Sequence, residues 1–463
     1  MKNKDIDRRD FLKGMAVVGA TVAAAKILPG CSTEKSSDVS GGVVEEEIPT
    51  DKMEYRTTPT TGDKVSLLGY GFMRLPTKKD ENGEEVIDQE QVNKLTDYAI
   101  EHGVNYFDTS PAYCRGHSED ALGKALSRHP RDKYLVATKL SNFSPDQQTR
   151  EKSIEMYNNS RKYLQVDVID YMLLHGVGMG GLDNLRARYL DNGVLDFLME
   201  ERKAGRIRNL GFSFHGDVEV FDYLLSKNDE YHWDFVQIQL NYVDWNYAKE
   251  QNPRNVNAAY LQSELDKKGI PSIIMEPLLG GRLSKVHDHV ARKFMEHSPG
   301  KSIASWAFRF AGHFDGVLTV LSGMTYMEHL QDNIKTYSPL NKLTQEELDM
   351  LEKIALEMIS YKTIPCNDCK YCMPCPYGLD IPSILVHYNK SINEGFMPGK
   401  PEDEEYNSLR KRYLIGYDRV VDRERQADRC VGCGVCMPHC PQNIRIPEMM
   451  RMIDRFVNNL RDS

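Results

Sequence analysis

The sequence predicts an α/β protein: a closed (β/α)8 TIM barrel followed by a smaller, mainly α-helical, cysteine-rich domain. Three observations carry this reading. Between residues 55 and 340, short apolar runs alternate eight times with helical stretches. Polar residues of chemical interest stand at the ends of those runs rather than inside them. Eight of the ten cysteines fall between Cys366 and Cys440, leaving only Cys31 and Cys114 elsewhere.

The strand candidates, in order, are VSLLGYG, NYFDTS, YLVATKL, VIDYMLLHG, IRNLGFSF, FVQIQLNY, PSIIMEPLL and GVLTVLSG. Helical patterns fill the intervals: Gln89–His102, Ser118–Arg128, Gln148–Leu164, Gly193–Ala204, Val218–Ser226, Ala258–Lys268, Ser302–Ala311 and Tyr326–Tyr337. Eight such units suit a barrel. An open doubly wound sheet would place a glycine-rich phosphate turn after its first strand, and GYGFMRLP lacks that spacing. Residues 341–362 read as a linker carrying one helix, Thr344–Met358, ahead of the cysteine-rich residues 363–463.

The N-terminal end reads as an address. In residues 1–31, basic residues including Arg8 and Arg9 precede an apolar stretch from Met15 to Leu28, interrupted only by Lys26. That stretch is short for a span of ~20 residues. The string RRDFLK resembles the twin-arginine export signal, a receptor-read label that implies a periplasmic destination. LPGC at Leu28–Cys31 resembles a lipobox, which would leave Cys31 acylated; only then would a membrane surface become a partner. Residues 32–54 hold seven acids and two lysines among Ser and Gly, the composition of a disordered tether. A net charge of −9 argues against a nucleic-acid partner.

In a barrel, the C-terminal strand ends form the active face. They supply Asp108 (NYFDTSPAY), Lys139 (ATKL), His175 (LLHG) and Ser213 (GFSF), with Tyr113 five residues after Asp108. An aspartate and a lysine there can pair, and an ammonium beside Tyr113 is expected to lower the phenol's pKa from about 10. Such a phenol suits proton donation to a carbonyl oxygen, with His175 as a second donor. Taken singly, the four have ordinary readings: a helix cap, a rim aromatic, a solvated charge and a core histidine.

Asp108, Tyr113, Lys139 and His175 resemble the catalytic tetrad of the aldo/keto reductases. FDTSPAYCRGHSEDALGKAL, LVATKL, DYMLLHG, GRIRNLGFSFHG, QLNY and VLSGMTYMEHLQDN are similar to the family's text. The resemblance implies hydride transfer between a nicotinamide cofactor, NAD or NADP, and a small carbonyl compound or alcohol. It makes Tyr113 the proton donor, Lys139 and Asp108 its tuners, and His175 the group that orients the carbonyl. Ser213 and Gln237 would hold the nicotinamide carboxamide, and Ser322, Gly323 and Thr325 would approach the phosphates. The departures are Phe214 in place of asparagine, Met275 in place of a stacking aromatic, Glu276 in place of serine, and His329 in place of a Lys/Arg clamp.

Cys366, Cys369, Cys372 and Cys375 read C-x2-C-x2-C-x2-C-P; Cys430, Cys433, Cys436 and Cys440 read C-x2-C-x2-C-x3-C-P. The second is the bacterial ferredoxin run for a 4Fe–4S cluster, and the first is one residue short in its last gap. Two clusters follow, and by the crossed pattern Cys440 completes the first set and Cys375 the second. Two zinc sites of four thiolates each and a disulfide framework are the alternatives; four cysteines so closely spaced and ending in proline favour clusters. Pro382 and Pro447 follow the two runs alike and start helices, an internal repeat that resembles the α-helical ferredoxins. Clusters move single electrons and hydride transfer moves two together, a mismatch a flavin would normally bridge; the sequence shows no flavin site, a flavin stays open, and a redox partner protein is expected. Beside an oxidoreductase stand two other readings: an electron-transfer subunit whose barrel only docks a partner, and a binding protein that has lost its cofactor.

Overall fold

The computed structural model describes residues 48–463; Arg8, Arg9, Cys31 and the tether's first part lie outside them. The eight apolar runs become parallel strands: β1 (Leu68–Gly71), β2 (Tyr106–Asp108), β3 (Leu135–Leu140), β4 (Ile169–Val177), β5 (Ile207–Phe214), β6 (Phe235–Gln239), β7 (Ser272–Met275) and β8 (Val317–Ser322). Each pairs with the next, and β8 pairs with β1, so the sheet closes as expected. A register that sets Asp108 level with Ala137, and Gln237 level with Ser213, brings the strand-end polar groups to one rim.

Why these segments form a barrel is visible in their two faces. Inward residues, among them Tyr106, Tyr171, Phe235, Ile273 and Leu318, fill the lumen as a cluster of their own. The Tyr106, Tyr171 and Phe235 rings meet edge to face at 5.0 and 5.1 Å. Outward residues pack against the helices in one continuous core. Local signals stop and start those helices: Thr149, Ser302 and Thr344 accept backbone N–H bonds at helix starts, as capping hydroxyls do.

Two features were not expected. An antiparallel hairpin, Tyr55–Thr57 with Lys64–Ser66, closes the bottom of the barrel, where Val65 joins the lumen cluster and Thr58 hydrogen-bonds the Tyr171 hydroxyl at 2.5 Å. The tether reading of residues 32–54 also fails at its end. Met53 is buried, Ile48 packs against the barrel core, the Pro49 carbonyl meets His102 Nδ1 at 2.8 Å, and Glu54 N–H donates to the Tyr337 carbonyl at 2.9 Å, so two apolar side chains and backbone bonds seat that segment.

The helix Gln345–Ile359 buries Leu351, Ile354, Ala355 and Met358 in the barrel's own core, and its Glu347 pairs with Arg309 at 2.8 Å. The cysteine-rich domain has a separate core, built by helices Ile381–Asn393, Tyr406–Val420 and Ile446–Asp462 around Ile384, Tyr413, Tyr417, Met450 and Ile453. Pro382 and Pro447 lie in the first turns of the first and third of these, as the repeat predicts. Among the described residues no helix is long and apolar enough to cross a membrane.

Candidate active site and cluster ligands

The four tetrad candidates converge at the barrel mouth. Lys139, near the end of β3, donates to Asp108 at 2.5 Å and to the Thr109 carbonyl at 2.9 Å, with both charged side chains almost fully buried. Burial pushes the Asp108 carboxyl up and the Lys139 ammonium down, while their contact opposes both shifts. Lys139 Nζ lies 5.0 Å from the centre of the Tyr113 ring, over its face.

That placement corrects the expectation for Tyr113. Its pKa is raised well above the ordinary tyrosine value, first by burial, then by Tyr371, Asp108, Glu276 and Cys369. The ammonium faces the ring rather than the hydroxyl, and desolvation of a phenolate outweighs it. Tyr113 is therefore a neutral phenol that keeps its proton until a stronger base arrives. His175, at the end of β4, is likewise held neutral: burial, with Lys139, Arg188 and His215 as like charges, lowers it well below its usual value. Its Nδ1 meets the Ser141 hydroxyl at 2.6 Å and the Ser110 hydroxyl at 3.3 Å. With Nδ1 accepting from Ser141, the ring hydrogen sits on Nε2 and points into the mouth.

The cofactor candidates divide. Ser213 accepts from Gly176 N–H at 2.8 Å, and beside it Gln237 Oε1 is buried with no partner. A buried acceptor lacking a donor fits a carboxamide NH2. Thr325 donates to the Arg74 carbonyl at 3.1 Å, so its hydrogen is already committed, whereas Ser322 only accepts, from Asn333 at 3.0 Å, and its O–H can still donate. At Gly323 an added Cβ would meet nothing nearer than 3.7 Å, which leaves room at the phosphate end.

Sequence reasoning missed what covers this mouth. The first cysteine loop folds over it: Arg74 donates to the Asn367 carbonyl at 2.6 Å, and Asn367 donates to Glu276 at 3.3 Å. Tyr371, between Cys369 and Cys372, places its hydroxyl 3.5 Å from His175 Nε2. The second loop is stitched down as well, by Asn252 donating to the Gln442 carbonyl at 2.7 Å. Ser110, Ser141, His215 and Tyr371 carried no signal in isolation, since small hydroxyls and spacer aromatics look ordinary.

All eight loop cysteines are unpaired thiols, so no disulfide framework forms. The two loops lie close enough for their thiols to feel one another: Cys369 feels Cys366, Cys372 and Cys440, Cys436 feels Cys430, Cys433 and Cys375, and Cys372 feels Cys436 as well as Cys366 and Cys440. Burial raises the Cys366, Cys369 and Cys372 thiols, the opposite of free reactive cysteines. Among the described residues no group of three or more His, Cys, Asp or Glu stands close enough to hold a metal ion. Eight thiols in two loops, backed by an apolar core, fit multi-iron clusters.

A parallel barrel with a lysine–aspartate pair, a neutral phenol and a neutral imidazole at its mouth defines an oxidoreductase-type site. The aldo/keto reductase family model matches residues 67–356, and the chain belongs to that family. A twin-arginine translocation pathway signal sequence matches residues 5–25, and a 4Fe–4S dicluster domain matches residues 365–445. L-galactose dehydrogenase of Arabidopsis thaliana is 27% identical over 332 residues, covering 68% of this chain and 98% of the relative. The uncharacterized oxidoreductase YqkF of Bacillus subtilis is 25% identical over 319 residues, with 65% and 96% covered. An aldo-keto reductase from Klebsiella pneumoniae, solved with NADPH, shares the fold at a TM-score of 0.51 and 20% identity, over 65% of this chain and 96% of that one. The chain is thus an oxidoreductase of this family with a 4Fe–4S domain and a twin-arginine signal.

Proposed function

We propose that the barrel interconverts a small carbonyl compound and its alcohol by two-electron hydride transfer, and that this is coupled to two 4Fe–4S clusters, with two single electrons, paired on a flavin or by a redox partner, balancing each hydride. The observation that carries this is the convergence of Tyr113, Lys139, Asp108 and His175 under a loop that also holds cluster ligands. A nicotinamide, held at its carboxamide by Gln237 and Ser213, would supply hydride to the carbonyl carbon. NADPH in the Klebsiella structure makes that the cofactor to try first.

The chain's own groups do the rest. His175 Nε2–H and the Tyr113 hydroxyl donate to the carbonyl oxygen and polarise it. As negative charge grows on that oxygen, the Tyr113 proton moves to it, which a phenol of high pKa allows because an alkoxide is a stronger base. Lys139, paired with Asp108 and lying over the ring, stabilises the phenolate left behind. The Arabidopsis relative's name points to sugars as the carbonyl compounds to assay first. By its signal the protein reaches the periplasm, tethered if Cys31 is acylated, where a redox partner protein meets the clusters.

The test is Tyr113→Phe in the iron-loaded protein with NADPH and 4-nitrobenzaldehyde. Turnover should fall by ~10² to 10⁴, the usual contribution of a general acid, while NADPH affinity stays within about twofold of wild type. Undiminished turnover would show that another group delivers the proton.

A further inference from the structure

We propose that Tyr371 is a built-in occupant of the carbonyl-oxygen site, displaced when a substrate enters, so that the first cysteine loop sets access to the barrel. This rests on the reading of Tyr113 and His175 given above. The Tyr371 hydroxyl is 3.5 Å from His175 Nε2, and the Tyr113 ring stands edge to face with that same imidazole at 5.8 Å, so a substrate oxygen meeting both groups would have to enter where this hydroxyl lies. One oxygen fills that space, and here it is a phenol's. Its ring packs 6.0 Å from the Phe143 ring and 6.4 Å, edge to face, from His175. A phenol on an apolar wall with its oxygen beside the His175 imidazole is a fair copy of a bound aromatic carbonyl compound.

In the internal repeat, the second cysteine loop has no tyrosine at this position. Aligned on their cysteines, the two loops match Asp368 with Gly432, Lys370 with Gly434, and Tyr371 with Val435. Backbone φ is +57° and +65° at Asp368 and Lys370, and +77° and +75° at the two glycines, so both loops wind alike. The second loop uses the residue suited to a left-handed backbone, and its Val435 is 51% exposed. The first accepts non-glycine residues there and turns its equivalent side chain into the barrel mouth. It is then fixed from the barrel side by Arg74 on the Asn367 carbonyl, and by Gly280, where an added Cβ would lie 2.7 Å from Asn367 Cα. Tyr371 is thus delivered to the site by the element that wraps the first cluster set.

The experiment uses the full, iron-loaded chain. Tyr371→Ala should bind p-cresol, which restores the lost phenol, at least tenfold more tightly than wild type by calorimetry, with iron content unchanged. Tyr371→Phe keeps the ring and removes the oxygen. Its KM for 4-nitrobenzaldehyde with NADPH should fall about tenfold, the worth of one hydrogen bond no longer in competition. Equal p-cresol affinity in wild type and Tyr371→Ala would overturn the proposal. So would an unchanged or raised KM in Tyr371→Phe. If no form reduces the aldehyde yet p-cresol still selects Tyr371→Ala, occupancy stands and the carbonyl activity fails. If Tyr113-dependent reduction is seen without either selective effect, occupancy alone fails.

Discussion

Glu119 offers a test of the electrostatics behind the site. It lies on the helix Ser118–Leu126, outside the barrel wall, almost fully buried, and accepts from the Thr138 hydroxyl at 2.5 Å. Burial raises its carboxyl from 4.5 to about 7, with Thr138, Ser160 and Lys139 pulling the other way. Because the folded value is the higher one, the folded state binds the extra proton between those limits. The stabilisation is complete below pH 4.5 and is lost as pH rises through about 7. At ~1.36 kcal/mol per pKa unit, the span amounts to about 3 kcal/mol. Glu119→Gln keeps an oxygen for Thr138 and never ionises. It should match wild type near pH 5 and melt higher at pH 8.5, by on the order of several degrees for a chain of this size. Anaerobic calorimetry of the iron-loaded protein from pH 5 to 8.5 reads this directly. Parallel melting curves for the two proteins would mean that Glu119 is as solvated folded as unfolded, and the burial argument would fail with it.

Other outcomes follow from the same geometry. Gly280→Ala should lower stability by about 1–3 kcal/mol and loosen the first loop, whereas Gly281→Ala, at φ +93° with nothing within 4 Å, should cost only the left-handed backbone; melting of both variants separates the clash from the strain. Cys440→Ser should abolish the signal of the cluster bound by Cys366, Cys369 and Cys372, and spare the one bound by its own run. Electron paramagnetic resonance after reduction, with iron falling from about eight to about four per chain, checks the crossed ligation. Arg8→Lys with Arg9→Lys should leave folded, iron-loaded protein in the cytoplasm, while Cys31→Ala should release exported protein from the membrane fraction; cell fractionation distinguishes routing from anchoring.

The barrel and the tetrad could be read from sequence because each rests on local signals. β-runs repeat at regular spacing, and Asp108, Lys139 and His175 each stand at the C-terminal end of a run. The thiol pattern was equally open, being a matter of intervals. What stayed hidden depends on contacts distant in the chain or on the sum of several environments. Tyr371 meets His175 across 196 residues and sits where any spacer could stand between two cysteines. The direction of the Tyr113 shift was misjudged because a nearby lysine is evident in sequence, while the ring face it lies over and the depth of burial are not. Met53 and Ile48 seat the end of an acidic segment through two side chains, too little to register in composition.

The helix Gln345–Ile359 has a practical consequence for dissecting the protein. A cut at residue 340, where the barrel strands and their last helix are complete, would strip Leu351, Ile354, Ala355 and Met358 out of the core and leave Arg309 without Glu347. At several kcal/mol for four buried apolar side chains, that piece should aggregate on expression, and its failure would say nothing about whether the barrel depends on iron. A chain ended at residue 362 keeps this helix and loses the cover over the mouth together with the Gln442 and Asn393 contacts to Asn252, Arg282 and Lys285. Phe143 and His175 then face water, and comparing that shortened chain with the whole one isolates what the iron-binding half contributes.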